Sequence, residues 1–165
     1  MKLASIDAVD YYMYIPSDWI PANQDGVTCA YASGADTSNV SCARYAIKDD
    51  SIFNITETTE EDKPEGVLFA EKYWENYVSS LESLPGFRLI SGPINTTLNG
   101  LAAIRCSFSL ISTGVEYKED MVICIKERMY AYILTYTAEA DKYDTNLQSY
   151  EKILEEFVFQ TGILE

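Results

Sequence analysis

The sequence predicts an α+β fold: a mostly antiparallel sheet carrying two amphipathic helices, one in mid-chain and one near the end. Three observations predict it. Long period-two segments beginning near 101, 115 and 130 are separated only by short turns, and strands so joined form an antiparallel meander, because parallel neighbours need long crossovers. Stretches around 69–84 and 147–157 place apolar residues at helical steps of three and four. A chain of 165 residues with 47% hydrophobic content suits one domain, residues 1–165, with a single core.

Taken in order, "DAVDYYMYIPSDW" reads as a strand over 10–15, stopped by Pro16 and a turn through Ser17 and Asp18. "GVTCAYAS" (26–33) and "NVSCARYAI" (39–47) are β-rich runs joined by "GADTS", a hairpin connection. "SIFNI" (51–55) continues or follows the second run, and "TETTEEDKPE" is an acidic, Thr-rich loop. In the helix beyond it, Phe69, Tyr73, Tyr77, Leu81 and Leu84 share one stripe, while Glu71, Glu75, Ser79 and Glu82 fall on other faces. Asp62 with Glu65 three residues on matches a capping box, and Pro85-Gly86 stops the helix. "FRLISGP" and "INTTLNG" read as two short strands divided at Gly92-Pro93.

The first meander strand alternates Ala102, Ile104, Cys106, Phe108 and Leu110 with Ala103, Arg105, Ser107 and Ser109. "STG" (112–114) turns the chain, "EYKEDMVICIK" returns it, "ER" turns it again, and "MYAYILTYTA" is the third strand. The last helix spaces Leu147, Tyr150, Leu154 and Phe157 by three, four and three, with Asp144 as its cap. In the third strand Tyr130, Tyr132, Leu134 and Tyr136 share one parity, against Ala131, Ile133, Thr135 and Thr137. Each helix must bury its stripe on the sheet, so the tyrosine parity is expected beneath a helix as core rather than as a ligand platform.

Charge excludes several partners. Twenty-six acidic against twelve basic residues give a net charge of −14, and the basic residues are scattered singly. Nucleic acid and anionic membrane surfaces both require clustered Lys and Arg. No apolar run reaches the length of a membrane span, and "MKLASIDAVDYY" contains no apolar signal-peptide core. The chain has no histidine. That removes Ser-His and Cys-His nucleophiles and the commonest metal ligand.

The order of elements resembles the PsbP family. "YIPSDW" (14–19) is similar to that family's aromatic-x-Pro-x-x-Trp opening, and "YAYILTYTAEADKYD" followed by "YEKILEEFVF" to its closing strand and helix. "NGLAAIRCSFSLISTGVEYKEDMVICIKERMY" resembles its central meander, with a Gly before the first strand and an Arg within it. The likeness spans roughly residues 10–159 and rests on packing motifs. It implies an α/β/α sandwich around a central antiparallel sheet, in a superfamily of extrinsic photosystem II subunits, Ran-binding Mog-type proteins and bacterial surface lipoprotein domains. It implies binding rather than catalysis. The histidines linked to metal binding in plant members have no counterpart here, and no Ran-binding surface can be matched. What carries over is the bacterial surface-domain type.

Few residues suggest chemistry. Cys29 and Cys42 lie on the two arms of the first hairpin, and Cys106 and Cys124 stand similarly across the turn at 112–114. Cross-strand Cβ atoms lie about 4.5–5.5 Å apart, so either pair could be bridged. Four reduced core thiols are the alternative, and the lipoprotein resemblance leans towards disulfides and export. No CxxC is present. Glu57, Glu60, Glu61, Asp62 and Glu65, or Asp141 and Asp144 with Asn146, could collect Ca²⁺, but lack the ordered spacing of a preorganised site, and a solvated loop and helix capping account for them. Glu116 and Glu119 are the nearest approach to a paired-carboxylate centre. Asn39, Asn54 and Asn95 head glycosylation sequons, which carry no meaning in a bacterium.

The expectation is therefore a non-catalytic binding or interaction domain with no catalytic, metal or cofactor residues, meeting an unidentified protein partner. It is expected outside the cytoplasmic membrane, secreted or held by a lipid anchor upstream, and otherwise in the cytoplasm. The alternative is a small-ligand or Ca²⁺ carrier using a cleft between sheet and helix.

Overall fold

The structure is a computed structural model that describes residues 1–5, 9–34, 36–54 and 63–160. A short strand β1 (Lys2–Leu3) opens the chain, and β2 (Tyr11–Tyr12) and β3 (Tyr14–Ile15) stand where a single strand over 10–15 is expected. The central sheet comprises β4 (Ile20–Pro21), β5 (Val27–Tyr31), β6 (Asn39–Ala46), β7 (Arg88–Leu98), β8 (Leu101–Ser112), β9 (Val115–Lys126) and β10 (Tyr130–Glu139). Helix α1 (Glu65–Leu81) separates β6 from β7; helix α2 (Leu147–Glu156) and β11 (Val158–Phe159) close the fold.

The seven strands lie in the order β4-β5-β6-β10-β9-β8-β7, every neighbour antiparallel. Two consecutive blocks, β4–β6 and β7–β10, are thus zipped together along β6 and β10, with Leu134 opposite Cys42 and Ile133 opposite Ala43. The meander stands as expected. The two short strands divided at Gly92-Pro93 are instead one strand, β7, whose register shifts at that point. Gly92 has φ +96°, and a Cβ there would lie 2.4 Å from the Arg105 carbonyl oxygen, so glycine lets the kinked edge stay paired.

The pleat sends alternate side chains into two cores. One face carries Tyr132, Leu134 and Tyr136 with Val122 and Cys124, covered by α2, the short N-terminal strands and β11. Tyr132 and Tyr136 are completely buried: Tyr136 stacks on Tyr150 of α2 at 5.2 Å and donates to the Tyr143 carbonyl at 2.6 Å. The tyrosine row is core, as its parity predicts. Ile15 and Trp19 of "YIPSDW" are buried in the same cluster. Arg105 fastens α2 down, bonding Asp120 at 2.8 Å and both carboxylate oxygens of Glu151 at 2.8 and 3.0 Å.

The other face carries Ile104, Cys106, Phe108, Met121 and Ile123 beneath α1. The helix is rotated from its expected setting. Its buried ridge is Val67, Ala70, Trp74 and Leu81 with Phe69 beside it, while Tyr73 and Tyr77 lie half-buried on the flank and Leu84 is exposed beyond the end. The large Trp74 ring takes the central position, 6.1 Å from Phe108. Pro64 precedes the first turn with no side-chain cap, and Asp62 of the expected capping box lies outside the described residues. The second helix is capped at Asn146 rather than Asp144, again without a side-chain bond, because a short 3₁₀ segment occupies 140–145.

Candidate functional site

Helix α1 packs on β8 and β9, and its first turn comes so near the sheet that a Cβ on Gly66 would lie 3.1 Å from Ala102 Cβ. Along β10, β6 and β5 the same face changes character. Past Ile133 it presents Thr135 and Thr137, and β6 adds Ser41, Ala43 and Tyr45. Helix α1 packs on β8 and β9 and does not extend its main contacts over these strands. The step between the helix flank and the sheet leaves a groove of about 500 Å³, walled by Tyr73 and Tyr77, floored by Val27, Ala43, Met121 and Ile133, and edged by Ser41, Thr135 and Thr137. Tyr45, half exposed, stands at its mouth. A second hollow of about 420 Å³ continues behind Tyr73 and Tyr77 towards Ile47, Lys48 and Asp49.

Glu119 is the groove's charged group. It stands on β9 opposite Thr137 of β10 and Phe108 of β8, on the parity of Met121 and Ile123. Among the described residues it has no hydrogen bond or ion pair, and burial alone pushes its carboxyl up to about 7. Tyr77 is raised by burial, then by Glu119, Tyr45 and Tyr73; Tyr73 is raised by burial, then by Tyr45. All four line the groove, with Tyr77 by Glu119, and Tyr45, in register with Ala131, towards the other end. Tyr77 is held from behind by Trp74, stacked at 6.2 Å.

Glu116 and Glu119 do not meet. Three positions apart on one strand, they project to opposite faces, and Glu116 pairs with Arg88 at 3.6 Å. The disulfide pairings are corrected in the same way. Cys29 stands opposite Ser41 and Cys42 opposite Thr28, while Cys106 stands opposite Met121 and Cys124 opposite Ala103. The first suggested pair is one residue out of register and the second three, both odd offsets, so the sulfurs of each pair face opposite sides of the sheet. All four thiols are free, and burial pushes each upward.

Of the candidate calcium carboxylates, Glu57, Glu60, Glu61 and Asp62 lie outside the described residues, and Glu65 pairs with Arg128 at 3.1 Å. Asn146 spends its amide on Asp36 at 2.8 Å. Among the described residues, no three His, Cys, Asp or Glu side chains gather as metal ligands. Of the sequon residues, Asn54 and Asn95 are exposed and Asn39 is half-buried.

The pattern of residues did not reveal Tyr45, Tyr73 and Tyr77 as groove residues, because 73 and 77 fit the helix stripe equally well. Glu119 was visible as a signal. An acid sharing parity with Met121, Ile123 and Ile125 faces inward on a strand, where a charge is costly.

No protein-family model matches the chain, and a search of curated proteins finds no match. Solved structures do match. LpqN of Mycobacterium tuberculosis, described as involved in cell envelope biogenesis, is 16% identical, with a TM-score of 0.65 over 92% of this chain and 83% of that one. Cyanobacterial PsbP (CyanoP) of Synechocystis sp. PCC 6803 is 14% identical, with a TM-score of 0.61 over 96% and 91%. The Ran-binding protein Mog1p of Saccharomyces cerevisiae is 6% identical, with a TM-score of 0.56 over 96% and 94%. The chain has the PsbP/Mog1-like α+β fold, as the resemblance implied. At these identities the likeness defines the fold, and function must be argued from the groove.

Proposed function

We propose that the chain acts as one non-catalytic binding domain, taking its partner in the groove between α1 and the strands β5, β6 and β10. The observation that carries this reading is the Glu119 carboxylate, unpaired among the described residues, in a groove lined by three tyrosines. A half-buried charge without a counter-charge costs stability, whereas a partner supplying the complement recovers that cost. Tyrosines at a groove mouth suit recognition, offering rigid contact area with a polar tip.

A protein partner is supported by Mog1p, named for binding Ran, and a place outside the cytoplasmic membrane by LpqN, named for envelope biogenesis. The chain would be secreted or anchored there; among the described residues no helix is long and apolar enough to cross a membrane. A second reading, a small-ligand carrier, is favoured by the groove's volume of about 500 Å³, within the range of small-molecule sites.

The test is titration of the isotope-labelled chain with a mixed peptide and fragment library, followed by amide chemical shifts. Ligands should perturb Tyr45, Tyr73, Tyr77, Glu119, Thr135 and Thr137 together. Binding that instead perturbs only the β7 edge or the α2 face overturns the assignment.

A further inference from the structure

We infer that the group recognised in the groove is an alkylammonium, paired with the Glu119 carboxylate beside Tyr77, its alkyl stem lying on the apolar floor towards Tyr73 and Tyr45. This rests on the groove being the binding site, as proposed above.

Charge decides first. Among the described residues Glu119 is the single charged side chain lining the groove, and it is acidic. An anion would be repelled, and a neutral ligand would leave the carboxylate as uncompensated as before. Tyrosine rings favour a cation, through the negative face of the ring and through their hydroxyl acceptors. The chain's net charge of −14 raises the local concentration of cations around it.

Ligand chemistry decides next. A hard metal ion needs six or more oxygen ligands, usually several carboxylates, and this lining offers one carboxylate. An ammonium carries three donors on a compact head. Acceptors of that number stand here in Glu119 and the hydroxyls of Thr135 and Thr137. Beside them, Val27, Ala43, Met121 and Ile133 form a continuous apolar floor on which a short methylene stem can lie. A hydrated metal ion has no use for that floor.

The pairing also predicts a proton linkage. Of the groove's phenols, Tyr77 of α1 stands by Glu119, while Tyr73 of α1 and Tyr45 of β6 stand further along the groove. On the same face of β5 stands the Cys29 thiol, and Lys48 and Asp49 border the adjoining hollow. Tyr73, Tyr77 and Cys29 are all pushed upward by burial, and hydrogen bonds from Ser51 hold Asp49 low, leaving Glu119 to change charge between about pH 5 and pH 8. Binding an ammonium must ionise it. Affinity therefore rises about tenfold per pH unit below neutrality and levels off above, with release of one proton per ligand on the acid side.

The experiment is calorimetric titration of the full chain with n-butylammonium, with Nα-acetyl-lysine N-methylamide and with neutral n-butanol, near pH 5.5 and pH 8, in buffers of different ionisation heat. Both amines should bind, about thirtyfold tighter at the higher pH, with proton release on the acid side. Glu119→Gln should abolish the pH dependence and most of the affinity, and Glu119→Asp should restore part of both. Tighter binding of the lysine derivative identifies a side chain offered by a protein; tighter binding of butylammonium identifies a small free amine. Absence of saturable heat with either amine, affinity independent of pH, or undiminished affinity in Glu119→Gln overturns the inference. Butanol binding as tightly as the amines, with shifts still confined to the groove, overturns it too but leaves the groove as the binding site. Amine binding that shifts residues elsewhere removes the groove itself.

Discussion

Glu119 makes the unliganded fold less stable than its shape allows, and the deficit can be measured. Its carboxyl is raised from 4.5 to about 7 by burial alone. Because the folded pKa lies above the unfolded one, the native state binds more protons than the unfolded state between those two values. Stability therefore falls as pH rises through that window. Below about pH 4.5 both states are protonated and the effect vanishes; above about pH 7 it is complete. At about 1.36 kcal/mol per pKa unit the shift corresponds to about 3 kcal/mol, an upper figure because the side chain keeps some contact with water. Glu119→Gln preserves the shape and removes the charge, at a smaller cost for a buried amide, so a net gain of about 2 kcal/mol is expected near pH 8. Near pH 4 the variant should match the parent. Urea unfolding followed by fluorescence of the buried Trp19 and Trp74 at several pH values reads this directly. A difference that stays flat with pH, or a variant less stable at pH 8, would refute the placement of an uncompensated carboxylate.

Three further outcomes follow from the same geometry. Arg105→Ala leaves Asp120 buried without its counter-charge and frees Glu151 of α2, at a cost of about 3 kcal/mol. Burial raises the Asp120 carboxyl even against Arg105, so that loss should shrink in acid, which denaturation at two pH values would show. Tyr136→Phe removes the donor to the Tyr143 carbonyl and should cost about 1–2 kcal/mol in urea unfolding. Iodoacetamide should label Cys29 first in the native protein and Cys42, Cys106 and Cys124 only on unfolding. Intact mass should be unchanged by reductant, and a gain of four hydrogens would refute the observed register.

Part of this was legible along the chain. Alternation over 101–112, 115–126 and 130–139 reports the two-residue period of the pleat, and the short turns force antiparallel neighbours. The tyrosine parity at 132 and 136 fell on the α2 side because alternate residues of a strand must share a face. Other features were not legible. Cysteines placed evenly about a hairpin turn look paired, but an odd stagger, one residue for Cys29 and Cys42 and three for Cys106 and Cys124, sends each pair to opposite faces. Tyr73 and Tyr77 fit a helical stripe at steps of four, yet Trp74 competes for the same central seat and takes it. The groove exists because of that outcome.

By itself the sequence determined the element types, the antiparallel meander, the aromatic core beneath the last helix and the chemistry ruled out by having no histidine. These follow from backbone periodicity, turn chemistry and composition, which act between residues near in the chain. Only the tertiary structure decided that β10 pairs with β6, how α1 is rotated, and that a groove opens between its flank and the sheet. Those choices depend on how well distant side chains fill space together, and no local pattern carries that information.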